Sequence, residues 1–254
     1  MVAMKKRGAA PIAAVDVEFN GFPTAAFTFL RGLKANNDRE WFEARRDTYE
    51  ASLRVPMKAL IEEMDARLAG FAPEITGTIK GSMFRIHRDI RFSKNKAPYK
   101  INAACWFFHR DSRGTVGADA VHGGAGFYFH LEPRACIAGG GIWMPPAPAL
   151  KRVRAALDVG HEEFESIVRA RPFRKAFGDL STEAMLKRMP RGFDADHPAA
   201  EWLRYQSFTA WSDLSQAEVT SAALPDRLEV LWRTMTPFVR WLNSAMGFRA
   251  QSER

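Results

Sequence analysis

Residues 103–109, Ala-Ala-Cys-Trp-Phe-Phe-His, are apolar at consecutive positions, so an extended chain there shows an apolar face on both sides. Such a segment suits a strand inside a sheet, paired at both edges. The segments around it have the same character. Residues 84–92 alternate, with Phe84, Ile86, Ile90 and Phe92 on one side and Arg85, His87, Asp89 and Arg91 on the other. Phe127, Phe129 and Leu131 alternate with Tyr128, His130 and Glu132. Pro133-Arg134 then turns the chain into Ala135–Gly140, which reads as a hairpin. A last strand is expected at Tyr205–Trp211.

Helical spacing lies on both flanks. Thr24 is placed to cap a short helix carrying Phe27, Leu30 and Leu33. Asn37 reads as the N-cap of the next helix, with Asp38 at the positive dipole end and Glu40 in capping-box position. Pro56 suits the first turn of a third helix, which buries Met57, Leu60, Ile61, Met64 and Leu68. After Pro146 the spacing predicts helices over 147–158 and 161–169, and a terminal one over 225–246. Helices, clustered strands, then helices is an α+β order, not the alternation of a doubly wound fold. The expectation is one α+β domain over 19–250, a mainly antiparallel sheet packed by N- and C-terminal helices, after a disordered tail over 1–18.

No run approaches the eighteen or so apolar residues that span a bilayer, so no membrane partner is expected. Lys5, Lys6 and Arg7 ahead of Ala9–Val15 imitate a secretory leader. Pro11, Asp16 and Glu18 argue against one. Cys105 and Cys136 lie in apolar runs, which predicts buried thiols and a reducing cytoplasm.

Charge gives the functional lead. Of a chain total of +8, residues 80–100 carry +6, from seven cations against Asp89. Lys5, Lys6 and Arg7 add +3, which leaves the remainder near −1. Charge this focused concentrates anions locally. Arg85, Arg88 and Arg91 are candidate guanidinium forks for a phosphate-bearing or other anionic small ligand, with Lys94, Lys96 and Lys100 on a closing loop. His87 and Asp89 are a candidate proton-handling pair. Arg88 falls by parity on the apolar side. There it either meets a carboxylate or a bound anion, or a bulge turns it outward. Two other classes stay open: sequence-independent nucleic-acid binding, and a structural or partner-docking domain whose arginines pair internally with Asp194, Asp196 or Glu201.

Weaker signals surround these. Gly139-Gly140-Gly141 ahead of a helix either cradles an anion or lets backbones pack closely. His130 with Glu132 and His87 with Asp89 would make four metal-type ligands if their strands met. Metal-site, dinucleotide, P-loop, nucleophile-elbow and kinase spacings do not occur, so neither metal nor cofactor is expected.

Four stretches together resemble one family: Phe29-Leu30 with Asn36-Asn37 and Trp41-Phe42, Arg85–Lys100, Gly139–Pro145, and Gly192–Pro198. They are similar to the bacterial and fungal family known as domain of unknown function 2461. The resemblance covers about residues 22–246 and implies one intact domain. It brings no catalytic residues with it.

Overall fold

The computed structural model describes residues 18–112 and 124–250. The tail expected over 1–18 lies, apart from Glu18, outside them. The N-terminal helices are α1 (Thr24–Ala35), α2 (Arg39–Glu43), α3 (Arg46–Tyr49) and α4 (Val55–Leu68), with a π-helical turn at Glu50–Arg54 between α3 and α4. Then come β1 (Ile75–Thr76), α5 (Ile79–Ser82), β2 (Ala103–His109), β3 (Gly126–Leu131) and β4 (Cys136–Ile142). The rest is α6 (Ala147–Val168), α7 (Arg171–Phe177), α8 (Ala200–Leu203), β5 (Phe208–Leu214), α9 (Gln216–Thr220) and α10 (Leu224–Met246). The strands form one antiparallel sheet in the order β1-β2-β3-β4-β5. This is the α+β arrangement that the element order predicts.

Strand alternation places Cys105, Phe107, Phe127 and Phe129 in the core, under the helices. The Trp232 ring of α10 lies 5.0 Å from Phe107 and stacks on Phe127 at 5.2 Å. On the opposite face Trp106, Tyr128 and Trp211 are half-exposed; Tyr128 packs edge to face on Trp211 and at a tilt on Trp106. Both cysteines are free and buried, and burial pushes the Cys105 thiol up, as an inert packed thiol requires.

Gly139, Gly140 and Gly141 sit inside β4, not at a helix start. A Cβ on any of them would fall 2.0, 2.1 and 1.9 Å from a neighbouring strand's carbonyl oxygen. Close backbone packing is therefore their role. The expected break between two helices at 159–160 is real: Gly160 leaves helical geometry within α6.

Several local expectations are corrected. Pro23, not Thr24, occupies the N-cap of α1, and Thr24 is its first helical residue. The cap of α2 is Asp38, whose carboxylate accepts from the Trp41 N–H at 2.8 Å. β5 starts at Phe208, three residues later than expected.

The segment 84–92 is not a strand. Met83 bridges Cys105 and His87 bridges Tyr99, and no ladder continues. The Arg88 N–H donates to the Pro98 carbonyl and the Lys100 N–H to the Ile86 carbonyl, both at 2.8 Å. The reciprocal bond from residue 98 is impossible because proline has no N–H, so pairing stops there. Side-chain parity nevertheless persists: Phe84, Ile86, Arg88 and Ile90 turn inward, whereas Arg85, His87, Asp89 and Arg91 are exposed. The alternation breaks at Phe92, which is 94% exposed.

Candidate functional site

The Asn37 amide builds the frame of the site. Its Nδ2 donates to the Tyr99 carbonyl and its Oδ1 accepts from the Tyr99 N–H, both at 3.0 Å. The side chain thus imitates a strand edge and ties the α1–α2 turn to residues 97–100. Tyr99 stacks on Phe42 at 4.2 Å, and the His87 ring leans on both. Asn37→Ala leaves two part-buried backbone groups without partners and is expected to cost about 1–3 kcal/mol in a urea unfolding curve.

Next to this frame a cleft of about 600 Å³ opens between two walls. One is helical, with Phe42, Arg46, Tyr49, Glu50 and Arg54. The other runs over Ile79–Lys80 and Met83–His87. Arg46 pairs with Glu43 at 2.6 Å, and Arg54 with Glu50 at 2.9 Å. The Arg46 guanidinium draws the Glu43 carboxyl below the usual carboxylate range. Among the described residues, Lys80 and Arg85 have neither an ion pair nor a side-chain hydrogen bond. The floor is aromatic: Phe42 and Tyr49 are buried, and Phe84 is half-buried. The π-helical turn lies in the helical wall, a feature common at functional sites.

The cations of 85–100 separate into two groups. Arg85 and His87 line the cleft. Lys100 places its Nζ over the Phe84 ring, 5.0 Å from the centroid. Burial pulls the Lys100 ammonium below the usual lysine range, and the like charge of Arg85 adds to this. Arg91, Lys94 and Lys96 belong instead to the turn that joins the two bridged segments, and the Arg88 side chain bonds into that turn. Arg88 turns inward and donates to the Ala97 carbonyl at 3.3 Å and the Ser93 hydroxyl at 3.5 Å. Lys96 Nζ donates to the Ile90 carbonyl at 3.0 Å, and Lys94 is exposed.

Arg91 closes on Asp89 at 2.8 Å, and this bond holds the Asp89 carboxyl down at about 2. His87 leans at a tilt on the Phe42 and Tyr99 rings while Asp89 faces Arg91, and no hydrogen bond joins the two. The acids expected to pair with Arg85 or Arg88 are occupied otherwise or lie apart. Glu201 meets Arg169 at 3.4 Å, and neither Asp194 nor Asp196 has an ion pair among the described residues.

Sequence reading missed the helical wall. Arg46 looks like part of a solvated charged face. The signal was the row Phe42, Arg46, Glu50, Arg54, spaced by four, which one continuous helix would align on a single side; in the structure the row runs over α2, α3 and the π-helical turn.

His130 and Glu132 lie with Tyr128 on the side of β3 opposite the buried Phe127, Phe129 and Leu131. Among the described residues no three His, Cys, Asp or Glu side chains gather at metal-holding distance. The Tyr128 hydroxyl meets His130 Nδ1 at 3.0 Å, and His130 Nε2 faces Glu132 at 3.4 Å. Burial depresses the His130 proton affinity more than Glu132 restores it. The unfolded ring therefore takes up protons near pH 6.5, before the folded one does. Its stabilising contribution is present above that pH and is lost as pH falls through the lower folded value. Between pH 7 and 5 the wild-type Tm should drop more than that of His130→Gln.

A helix-backed antiparallel sheet with a cleft between its edge and an N-terminal helix row defines the architecture. The chain belongs to the family described as "Conserved hypothetical protein (DUF2461)", whose model matches residues 25–241. Every stretch that carried the resemblance lies inside that match. No curated protein and no solved structure matches the chain. No helix of the described residues is long and apolar enough to cross a membrane.

Proposed function

We propose that this protein binds a phosphate-bearing or otherwise anionic small ligand in the cleft between residues 46–54 and 79–87, within a reducing cytoplasm. The observation that carries the reading is the pair Lys80 and Arg85. They share one wall and have no carboxylate partner among the described residues, opposite the helical wall that presents Arg46 and Arg54. Four cations face a single lining acid, Glu50, over an aromatic floor. Cations without protein partners in a recess partly lined with aromatic and aliphatic side chains focus the field on whatever anion enters. Charge-assisted bonds to a phosphate are then stronger than in open water.

Arg88 has a different part. Its bonds to Ala97 and Ser93 brace the 89–97 turn, which favours a structural role for this one arginine.

A thermal-shift screen of wild type, Arg85→Ala and Arg88→Ala against pyrophosphate, nucleotides and sugar phosphates tests the reading. The expected result is a saturable rise in Tm with one anion class, lost in Arg85→Ala. Arg88→Ala should keep that rise and lower the unliganded stability by no more than about 1.5 kcal/mol, because its two bonds are long. A flat profile in wild type contradicts the proposal.

A further inference from the structure

The turn over 89–97 is absorbed neither by the cleft nor by the core, yet its shape is held firmly from within. Asp89 accepts from the Arg91 N–H and guanidinium, Asn95 accepts from the Ala97 N–H, and Lys96 reaches the Ile90 carbonyl. These bonds fix a short hairpin connection whose tip is a phenylalanine ring, 94% exposed. A large apolar ring held in water on a braced turn gains free energy when a ligand covers it.

The ring is not alone. The Arg91 guanidinium lies 5.8 Å from the Phe92 centroid, and Lys94 follows two residues on. Back along the bridged segments the same pairing recurs: Phe84, at the cleft, carries Lys100 Nζ at 5.0 Å with Arg85 beside it. Two stations, each one aromatic ring with adjacent cations, are thus joined by the short 86–88/98–100 pairing.

We infer that this strip, from the cleft to Phe92, binds single-stranded nucleic acid, with Phe92 stacking on a base and the flanking cations meeting phosphates. The inference rests on the cleft being the anion site, and it names the ligand class as a chain of nucleotides. A strand supplies one flat ring and one phosphate per unit, the same pair that the strip repeats. An acidic peptide brings the charges without a ring at each. A lipid surface is planar, so contact with the projecting Phe92 leaves Lys80 and Arg85 in the cleft unmet.

The test is fluorescence anisotropy with a labelled oligothymidylate of about twelve nucleotides, a length within the usual footprint of such sites. Phe92 makes no core contact, so Phe92→Ala should fold as wild type does. Expected are binding to wild type that weakens steeply with salt, a further loss of about five- to hundredfold in Phe92→Ala, and recovery in Phe92→Trp. Lys80→Glu with Arg85→Glu should also weaken it, while the pyrophosphate-induced Tm rise stays intact in Phe92→Ala.

Equal affinity of Phe92→Ala and wild type overturns the inference. So does absence of oligothymidylate binding while pyrophosphate still protects, an outcome that leaves the cleft reading standing. Oligothymidylate binding that needs Phe92 but not Lys80 or Arg85 overturns the course through the cleft, while the pyrophosphate-induced Tm rise decides the cleft reading separately. Phe92-dependent binding to phosphatidylserine vesicles without oligothymidylate binding would assign the tip to a lipid surface instead.

Discussion

Arg240→Ala is expected to cost about 3 kcal/mol of stability. Glu74, just before β1, is 1% exposed, and its carboxylate accepts from Arg240 Nε at 2.6 Å and Nη2 at 3.3 Å. The same guanidinium donates to the Phe71 carbonyl at 3.0 Å, which clamps the end of the α4–β1 connection onto α10. Truncation leaves a buried carboxylate with no counter-charge, which is costlier than losing the pair as a whole. The Arg240 side chain is 36% exposed, so water reaches part of the gap and places the loss at the lower end of the 3–5 kcal/mol seen for such cuts. Urea unfolding of Arg240→Ala beside Glu74→Gln checks this. Glu74→Gln keeps an acceptor and removes the charge, so it should lose less. A loss under about 1 kcal/mol in Arg240→Ala would mean that the carboxylate is hydrated in solution.

The second large effect is functional. Lys80→Glu combined with Arg85→Glu should weaken pyrophosphate binding by more than about a hundredfold. Two charge-assisted bonds at about 1.5–3 kcal/mol each are lost, and each tenfold change corresponds to about 1.4 kcal/mol. Both side chains are exposed and unpaired among the described residues, so unfolding midpoints should stay close to wild type. Isothermal titration calorimetry on both proteins separates the outcomes. Retained affinity would mean that the anion sits elsewhere, and lost folding would mean that these cations hold the structure.

Much of the fold was legible because burial writes itself into spacing. Phe127, Phe129 and Leu131 on one side of β3, and the Met57–Leu68 face of α4, follow directly from periods of two and about 3.6. The segment 84–92 shows the limit of that reading. Its inward and outward parity is real as far as Ile90, but a strand also needs a partner with N–H groups in register, and Pro98 denies one. The choice of Asp38 over Asn37 as helix cap was equally non-local: Asn37 is engaged by Tyr99, sixty-two residues away in sequence.

The site was legible as charge and not as geometry. Seven cations over 80–100 mark the region, yet the pairing of Ile86–Arg88 with Pro98–Lys100 decides which of them enter the cleft. Arg85 goes in, while Arg88 is spent on the turn's own carbonyl and hydroxyl. The opposing wall lies some thirty to forty residues earlier, and local sequence does not reveal that it faces Arg85.

Crystals grown with saturating pyrophosphate decide whether the cleft is the anion site. Anion density is expected in the cleft, within hydrogen-bonding distance of Lys80 Nζ and the Arg85 guanidinium. An empty cleft at saturation, or pyrophosphate bound only along the 89–97 turn, would contradict it.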